Sequence, residues 1–287
     1  MKRRNVLKNM SLAAGAIALN KKVLGASTSP ALFADSQIKH SVCRWCYNGI
    51  ELDALCEAAQ EIGIRSIEIV GPKDWPTLKK YNLECALATD SFASIPNGFN
   101  EPKYHHDLQM NYKGLITAAA DNGVPNVIVF SGNRNGMDDM VGLENCAVGL
   151  EPLVKHAEDT GVMIVMELLN SKVNHKDYMC DHTPWGVELV EKIGSPNFKL
   201  LYDIYHMQIM EGDVIATIRS ANEHIAHYHT GGVPGRHEID DSQELYYPAI
   251  IKAIKETGFD GYLAQEFIPA REDKIASLKQ GVEICTV

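Results

Sequence analysis

The stretch from Asp138 to Asn170 reads DDMVGLENCAVGLEPLVKHAEDTGVMIVMELLN. Through Thr160 its apolar residues recur at helical spacing, and two aspartates open it where a helix N-terminus favours negative charge. Gly161 follows, at a point where a helix end needs a residue tolerant of positive φ. The next residues, VMIVME, form a short apolar run rich in β-branched side chains, the mark of a buried strand. That strand closes on a carboxylate, Glu167.

The same unit recurs along the chain. Strand-like runs are expected at 41–46, 66–70, 83–88, 126–130, 162–167, 199–203, 225–229 and 261–266. Helical patterns follow them at 52–62, 75–80, 108–122, 138–160, 186–193, 213–221, 248–257 and 272–283. Gly63, Gly123 and Gly258 repeat the punctuation of Gly161. Strand then helix, eight times over, predicts a parallel sheet with crossover helices. An open doubly wound sheet usually places a glycine-rich phosphate turn after its first strand, and Cys46-Tyr47-Asn48-Gly49 is not one. The count of eight favours closure into a single α/β domain, a (β/α)₈ barrel over residues 38–287. No linker divides it.

Length agrees with that reading. The 287 residues accommodate one such barrel, typically about 250 residues, and a short leader. A composition of 45% hydrophobic and 22% charged residues excludes disordered and collagen-like chains. The formal charge of −10 hides an asymmetry. Lys2, Arg3, Arg4, Lys8, Lys21 and Lys22 stand among the first 34 residues without a single acid, which leaves the other 253 at −16. A body so acidic is ill suited to phosphate backbones, so no nucleic-acid partner is expected.

The basic N-terminus is read as an address. Arg3-Arg4 is followed by Asn5, Val6, Leu7 and Lys8, then by an uncharged stretch over 9–20 too short to span a bilayer comfortably. It resembles a twin-arginine export signal, with small residues suited to cleavage near 24–26 and 31–34. Residues 1–34 are therefore expected to be a leader that sends the body to the periplasm or beyond, with no stable membrane anchor. A basic amphipathic helix belonging to the fold, in a cytoplasmic protein, is the alternative.

The seven cysteines are odd in number, and Cys56, Cys85 and Cys146 sit in apolar patterns where a free thiol acts as a small hydrophobe. Cys43 and Cys46 have C-x-x-C spacing without the second pair a zinc ribbon requires. In a strand the two would point to opposite faces, so neither a redox nor a metal role is expected of them.

Chemistry is expected at the C-terminal strand ends, where such barrels carry their reactive groups. Strand five ends at Glu167, strand six at Asp203, strand seven at His229 and strand eight at Glu266. One carboxylate after a strand means little. Four such groups on adjacent strands of a closed barrel converge, and three carboxylates without a cation would repel one another. Three carboxylates and one imidazole suit Mn²⁺, Mg²⁺ or Co²⁺ rather than a thiophilic metal.

Several stretches extend this to a family resemblance: GFNEPKYH at 98–105, MELLN at 166–170, YDIYHMQIMEGD at 202–213, AHYHTGGVPGRHEIDD at 226–241 and LYYPAIIKAIKETGFDGYLAQEFIP at 245–269. From about residue 40 to 269 the chain resembles the xylose-isomerase-like barrels, and within them the hydroxypyruvate isomerase family. The resemblance implies that Glu167 and Glu266 both bind the metal and move the proton, with Asp203 and His229 completing the set. It implies too that Arg236 holds the substrate's carboxylate or terminal oxygens and that His206 contacts a substrate oxygen. One position departs from it. These isomerases are expected to carry glutamine where this chain has His229, whereas the related ketose 3-epimerases carry histidine. The epimerase arginine, however, comes six residues later, and Arg236 comes seven residues after His229.

The expected activity is that of an intramolecular oxidoreductase of the aldose–ketose type. It would interconvert a small α-hydroxy aldehyde and ketone, such as hydroxypyruvate and tartronate semialdehyde or a related sugar, by enediolate proton transfer. A ketose 3-epimerase and a non-catalytic exported sugar-binding barrel are the alternatives. The partner is thus a small sugar or hydroxy-carbonyl acid, and a homo-oligomer is compatible with that. Glu68, near the end of strand two, is read as a substrate-pocket anchor or a plain structural carboxylate, and His227 as a barrel-interior histidine. Trp45 and Tyr47 are read as an apolar wall or as core, and Lys172 and His175 as residues of a solvated loop.

Overall fold

The computed structural model describes residues 38–287, so the leader expected over 1–34 lies outside the described residues. The eight strands are β1 Lys39–Cys43, β2 Ser66–Glu68, β3 Leu87–Ala88, β4 Asn126–Val129, β5 Met163–Glu167, β6 Phe198–Asp203, β7 Ile225–Thr230 and β8 Tyr262–Gln265. Around them run α1 Leu52–Ile62, α2 Trp75–Lys80, α3 Pro102–Asn122, α4 Asp139–Thr160, α5 Thr183–Ile193, α6 Ile204–Met210, α7 Val214–Ala221, α8 Tyr247–Glu256 and α9 Lys274–Ile284. Every ladder is parallel, in the order β2-β1-β8-β7-β6-β5-β4-β3. The two outer strands close on each other through the bridges Ser66–Glu84 and Val70–Ala88, with Ile69 N–H donating to the Leu87 carbonyl at 2.9 Å. The expected (β/α)₈ barrel is therefore the observed one.

Local chemistry explains most boundaries. Asp138 caps α4 by accepting from the amides of Met140 and Val141, and Gly161 ends the helix at φ 73°. Pro102 starts α3 six residues earlier than its apolar pattern begins, because proline is pre-set for the first helical turn. The first strand stops at Cys43, and Arg44–Tyr47 turn as a 3₁₀ segment instead of continuing it. After β6 the chain makes an additional helix, α6, whose N-cap is Asp203 itself, accepting from the His206 amide.

The helices pack on the outside of the barrel through a continuous apolar layer. A separate cluster lies in the lumen: Leu87, Ile128, Val165 and Leu201, one each from β3, β4, β5 and β6. On the opposite side the interior is polar. The Ser41 hydroxyl donates to the Ser66 carbonyl at 3.2 Å, and His227 on β7 reaches across the lumen to Glu68 on β2 at 2.8 Å. No described helix is long and apolar enough to cross a membrane.

Candidate active site

Strand register places the ring of candidate ligands. Asp203, the last residue of β6, is the direct partner of His229 on β7, while Glu167 ends β5 and Glu266 follows β8. Each of the four offers one ligand atom, and those atoms lie within 4.8 Å of one another. The ring is sunk into the mouth of the barrel, with Asp203 and His229 at 0% exposure and Glu167 and Glu266 at 5% and 4%. His229 Nδ1 is 2.7 Å from Glu266 Oε2 and 3.5 Å from Glu167 Oε1. Its other nitrogen, Nε2, stands 2.8 Å from Glu68 Oε1.

This last contact is the test of whether the ring suits a cation. A metal-binding histidine needs one nitrogen free as a lone pair and the other held as a donor, usually to a carboxylate. Glu68 can take the Nε2 proton and leave Nδ1 turned toward three carboxylates. The donor set therefore fits a hard divalent ion.

Proton affinity is unevenly distributed around the ring. Burial pushes the Glu167 carboxyl up, and the charge of Glu266 adds to the rise. Burial likewise raises Asp203, to about 8, against the pull of Arg236. Burial also opposes ionisation of Glu266, but Arg236 and His229 override it and hold that carboxyl well below the usual range. Two carboxylates facing one site with separated proton affinities are suited to giving and taking a proton.

A second set of donors borders the ring. The Arg236 guanidinium donates through Nη2 to Glu266 Oε2 at 2.5 Å and to Asp203 Oδ2 at 3.1 Å. It lies 5.1 Å from the ring centroids of both Trp45 and Tyr205, stacked between two aromatic faces. Its backbone has φ 60°, a conformation that side-chain-bearing residues adopt rarely. The surrounding loop imposes it. A Cβ on Gly232 would fall 2.3 Å from the Glu238 carbonyl, and the Arg236 carbonyl accepts from the Ile268 amide at 2.7 Å. Glu238 anchors the next loop by accepting from the amides of Ala270 and Arg271 and from the Ser277 hydroxyl. The GGVPGRHE segment is thus a clamp that joins the loops after β7 and β8.

His206 completes this donor set. Its Nδ1 accepts from the Asn170 amide at 3.1 Å, so the proton of the neutral ring is on Nε2. Burial, followed by the charge of Arg236, drives its pKa well below the ordinary histidine value and keeps it neutral. Nε2 nevertheless faces Arg236 Nη1 at 3.0 Å. Two N–H groups pointed at one another lack an acceptor between them, and an oxygen of a bound substrate would serve both.

The remaining expected residues are placed as follows. Glu68 lies outside the ring of four, fully buried, with Oε1 2.8 Å from His229 Nε2. His227 is interior, as read. Tyr47 is core, at 0% exposure, whereas Trp45 is no apolar wall alone: its Nε1–H donates to Glu266 Oε1 at 2.7 Å. Lys172 is tied to the end of α6, donating to the carbonyls of Ile209 and Met210. The His175 ring packs 5.3 Å from His206. Cys43, expected to be inert, lies with its Sγ 3.8 Å from His229 Nε2 and 3.9 Å from Glu68 Oε1. Sequence reasoning missed the Trp45 hydrogen bond and the Asn170 contact. Their signal was position alone: Trp45 in the loop after β1, Asn170 three residues beyond Glu167.

Comparison with known proteins places the chain by family and fold. A family profile described as xylose isomerase-like TIM barrel matches residues 56–285. A human protein provisionally named hydroxypyruvate isomerase is 27% identical over 234 residues, covering 79% of this chain and 78% of its own. The 2-oxo-tetronate isomerase of Pectobacterium atrosepticum is 24% identical over 229 residues, 74% of this chain and 85% of its own. Among solved structures, one described as an AP endonuclease, family 2, from Brucella melitensis superposes with a TM-score of 0.77 at 22% identity, over 86% of this chain and 98% of that one. At that identity the likeness is one of fold.

Proposed function

Since the chain belongs to the xylose isomerase-like TIM barrel family, we propose that it is a divalent-metal-dependent isomerase of small α-hydroxy carbonyl compounds. Its substrates would be of the hydroxypyruvate or 2-oxo-tetronate type, the compounds named for its relatives. One observation carries the reading: three carboxylates and the Nδ1 of His229 meet at the barrel mouth, with the N–H groups of Arg236 and His206 beside them. A Mn²⁺, Mg²⁺ or Co²⁺ ion held by Glu167, Asp203, His229 and Glu266 supplies Lewis acidity at the hydroxy-carbonyl unit.

The chain's own groups do the rest. Glu167 and Glu266 move the proton between adjacent carbons, one from each side of the barrel mouth. Arg236 and the neutral His206 orient substrate oxygens, and a substrate carboxylate matches the guanidinium fork. Trp45 and Tyr205 hold that guanidinium in place by stacking.

The test is a substrate panel in D₂O with the Mn²⁺-loaded enzyme. Deuterium is expected at carbon from hydroxypyruvate or a 2-oxo-tetronate, and turnover is expected to vanish in Glu167→Gln and Glu266→Gln. Retained turnover in either purified variant would sink the assignment. A ketose 3-epimerase is the second reading, favoured by the imidazole at the β7 position, and free ketoses in the same panel decide it. The proposal includes export through the 1–34 leader. Replacing Arg3 and Arg4 by lysine should then hold the tagged chain in the cytoplasmic fraction, and unchanged fractionation would refute export by that route.

A further inference from the structure

Beneath the ring lies a buried polar group that the proposed chemistry does not use. Glu68 Oε1 lies 2.8 Å from His229 Nε2 and 2.8 Å from His227 Nε2, and all three residues are at 0% exposure. Glu68 stands on β2 and both histidines on β7, which are not neighbours in the sheet, so the contacts cross the lumen. Two imidazole N–H groups therefore converge on one oxygen of a single carboxylate.

From this we infer that Glu68 is a positioning residue acting through His229, with His227 as its brace. The inference rests on the reading of His229 as a cation ligand. Glu68 fixes the tautomer with the proton on Nε2, presents Nδ1 to Glu167, Asp203 and Glu266, and by its charge raises the donor strength of the ring. His227 has a different duty. It donates to the same oxygen, so it holds the carboxylate at the height of His229 without touching the ligand through a hydrogen bond. An uncompensated carboxylate would be costly in a fully buried place, and a plain structural role could have been filled by an apolar side chain.

Titrating the metal-free full-length chain with Mn²⁺ by calorimetry tests the inference without reference to turnover. Glu68→Gln keeps the size and an acceptor but loses the charge, and Mn²⁺ affinity is expected to fall roughly 10–100-fold. His227→Gln is expected to stay within about threefold of wild type, because the Glu68–His229 contact survives. Glu68→Asp keeps the charge but withdraws the carboxylate from Nε2, and should fall between the two. It also serves as the test if Glu68→Gln does not fold. ¹⁵N spectra of labelled histidine give a second readout, in which the single His229 tautomer of the wild type becomes a mixture in Glu68→Gln. Wild-type affinity in a folded Glu68→Gln, or in Glu68→Asp where only that variant folds, overturns the inference. A wild-type chain that binds no Mn²⁺ refutes the functional reading instead.

Discussion

Two halves of one lumen are built to different rules. From β3 to β6 the interior holds an aliphatic cluster of Leu87, Ile128, Val165 and Leu201. Across from it, β1, β2 and β7 turn Ser41, Ser66, Glu68, His227 and His229 inward and bond them to one another. Both halves carry reactive groups at their upper rim: Glu167 and Asp203 above the aliphatic side, His229 and Glu266 at or beside the polar one. The difference is in what the groups require. A carboxylate ligand can be aimed by its strand end alone, whereas an imidazole has two distinct nitrogens and needs a partner below to decide which faces the site. The aliphatic half contributes by excluding water, which strengthens every charge interaction at the rim.

The largest effect should come from placing the rule of one half in the other. Val165→Asp puts a carboxylate among Leu87, Ile128 and Leu201, while the Nζ of its register partner Lys199 already donates to the Glu223 carbonyl. An unpaired buried charge of that kind costs about 3–5 kcal/mol or more, a large part of what holds a domain of this kind folded. Loss of soluble protein, or a collapse of the urea midpoint, is the expected result. A variant as stable as wild type would show that the cluster tolerates a buried charge.

A smaller effect separates the lumen from the outer layer by pH. His40 lies on β1, 2% exposed, near the Thr286 hydroxyl beyond α9, and burial lowers its pKa to about 4. The unfolded value is near 6.5, so the folded state binds fewer protons between the two. Its contribution is complete above about pH 6.5 and is lost as pH falls toward 4, a drop of at most about 3 kcal/mol. Urea midpoints at pH 7.5 and 4.5 should therefore converge in His40→Gln relative to wild type. An equal acid loss in both proteins would assign the effect elsewhere.

The rim was more legible in the sequence than the layer below it. Glu167, Asp203 and Glu266 each end an apolar run, and a polar group that closes a buried strand is visible without knowing the fold. Glu68 lies inside the expected run 66–70, and nothing in that run shows that it meets a histidine from a strand three places along the barrel order. Arg236 and His206 came through resemblance, since their roles depend on a loop clamp and a tautomer rather than on spacing. The apolar content of 41–46 suggests strand as far as residue 46, and the 3₁₀ turn at Arg44–Tyr47 that replaces its end is what carries Trp45 back over the mouth. Local pattern specifies the faces of elements; contacts that cross the lumen are a property of closure.

Trp45 offers the finest test of how the rim is held from above rather than below. Its indole N–H donates to Glu266 Oε1 while its ring lies over Arg236, so one side chain steadies both the carboxylate and the cation beside it. Trp45→Phe removes the donor and keeps a ring for the stack. A hydrogen bond to a charged group is worth about 1.5–3 kcal/mol when simply deleted, but Glu266 keeps its bonds to His229 and Arg236. The expected loss is therefore at the lower end, near tenfold in kcat/KM. Trp45→Leu removes the stack as well, and should cost a further threefold or so, the scale of an aromatic–cation contact worth about 0.5–1 kcal/mol. If the two variants were equal, the stack would contribute nothing and the hydrogen bond would be the whole of what Trp45 does.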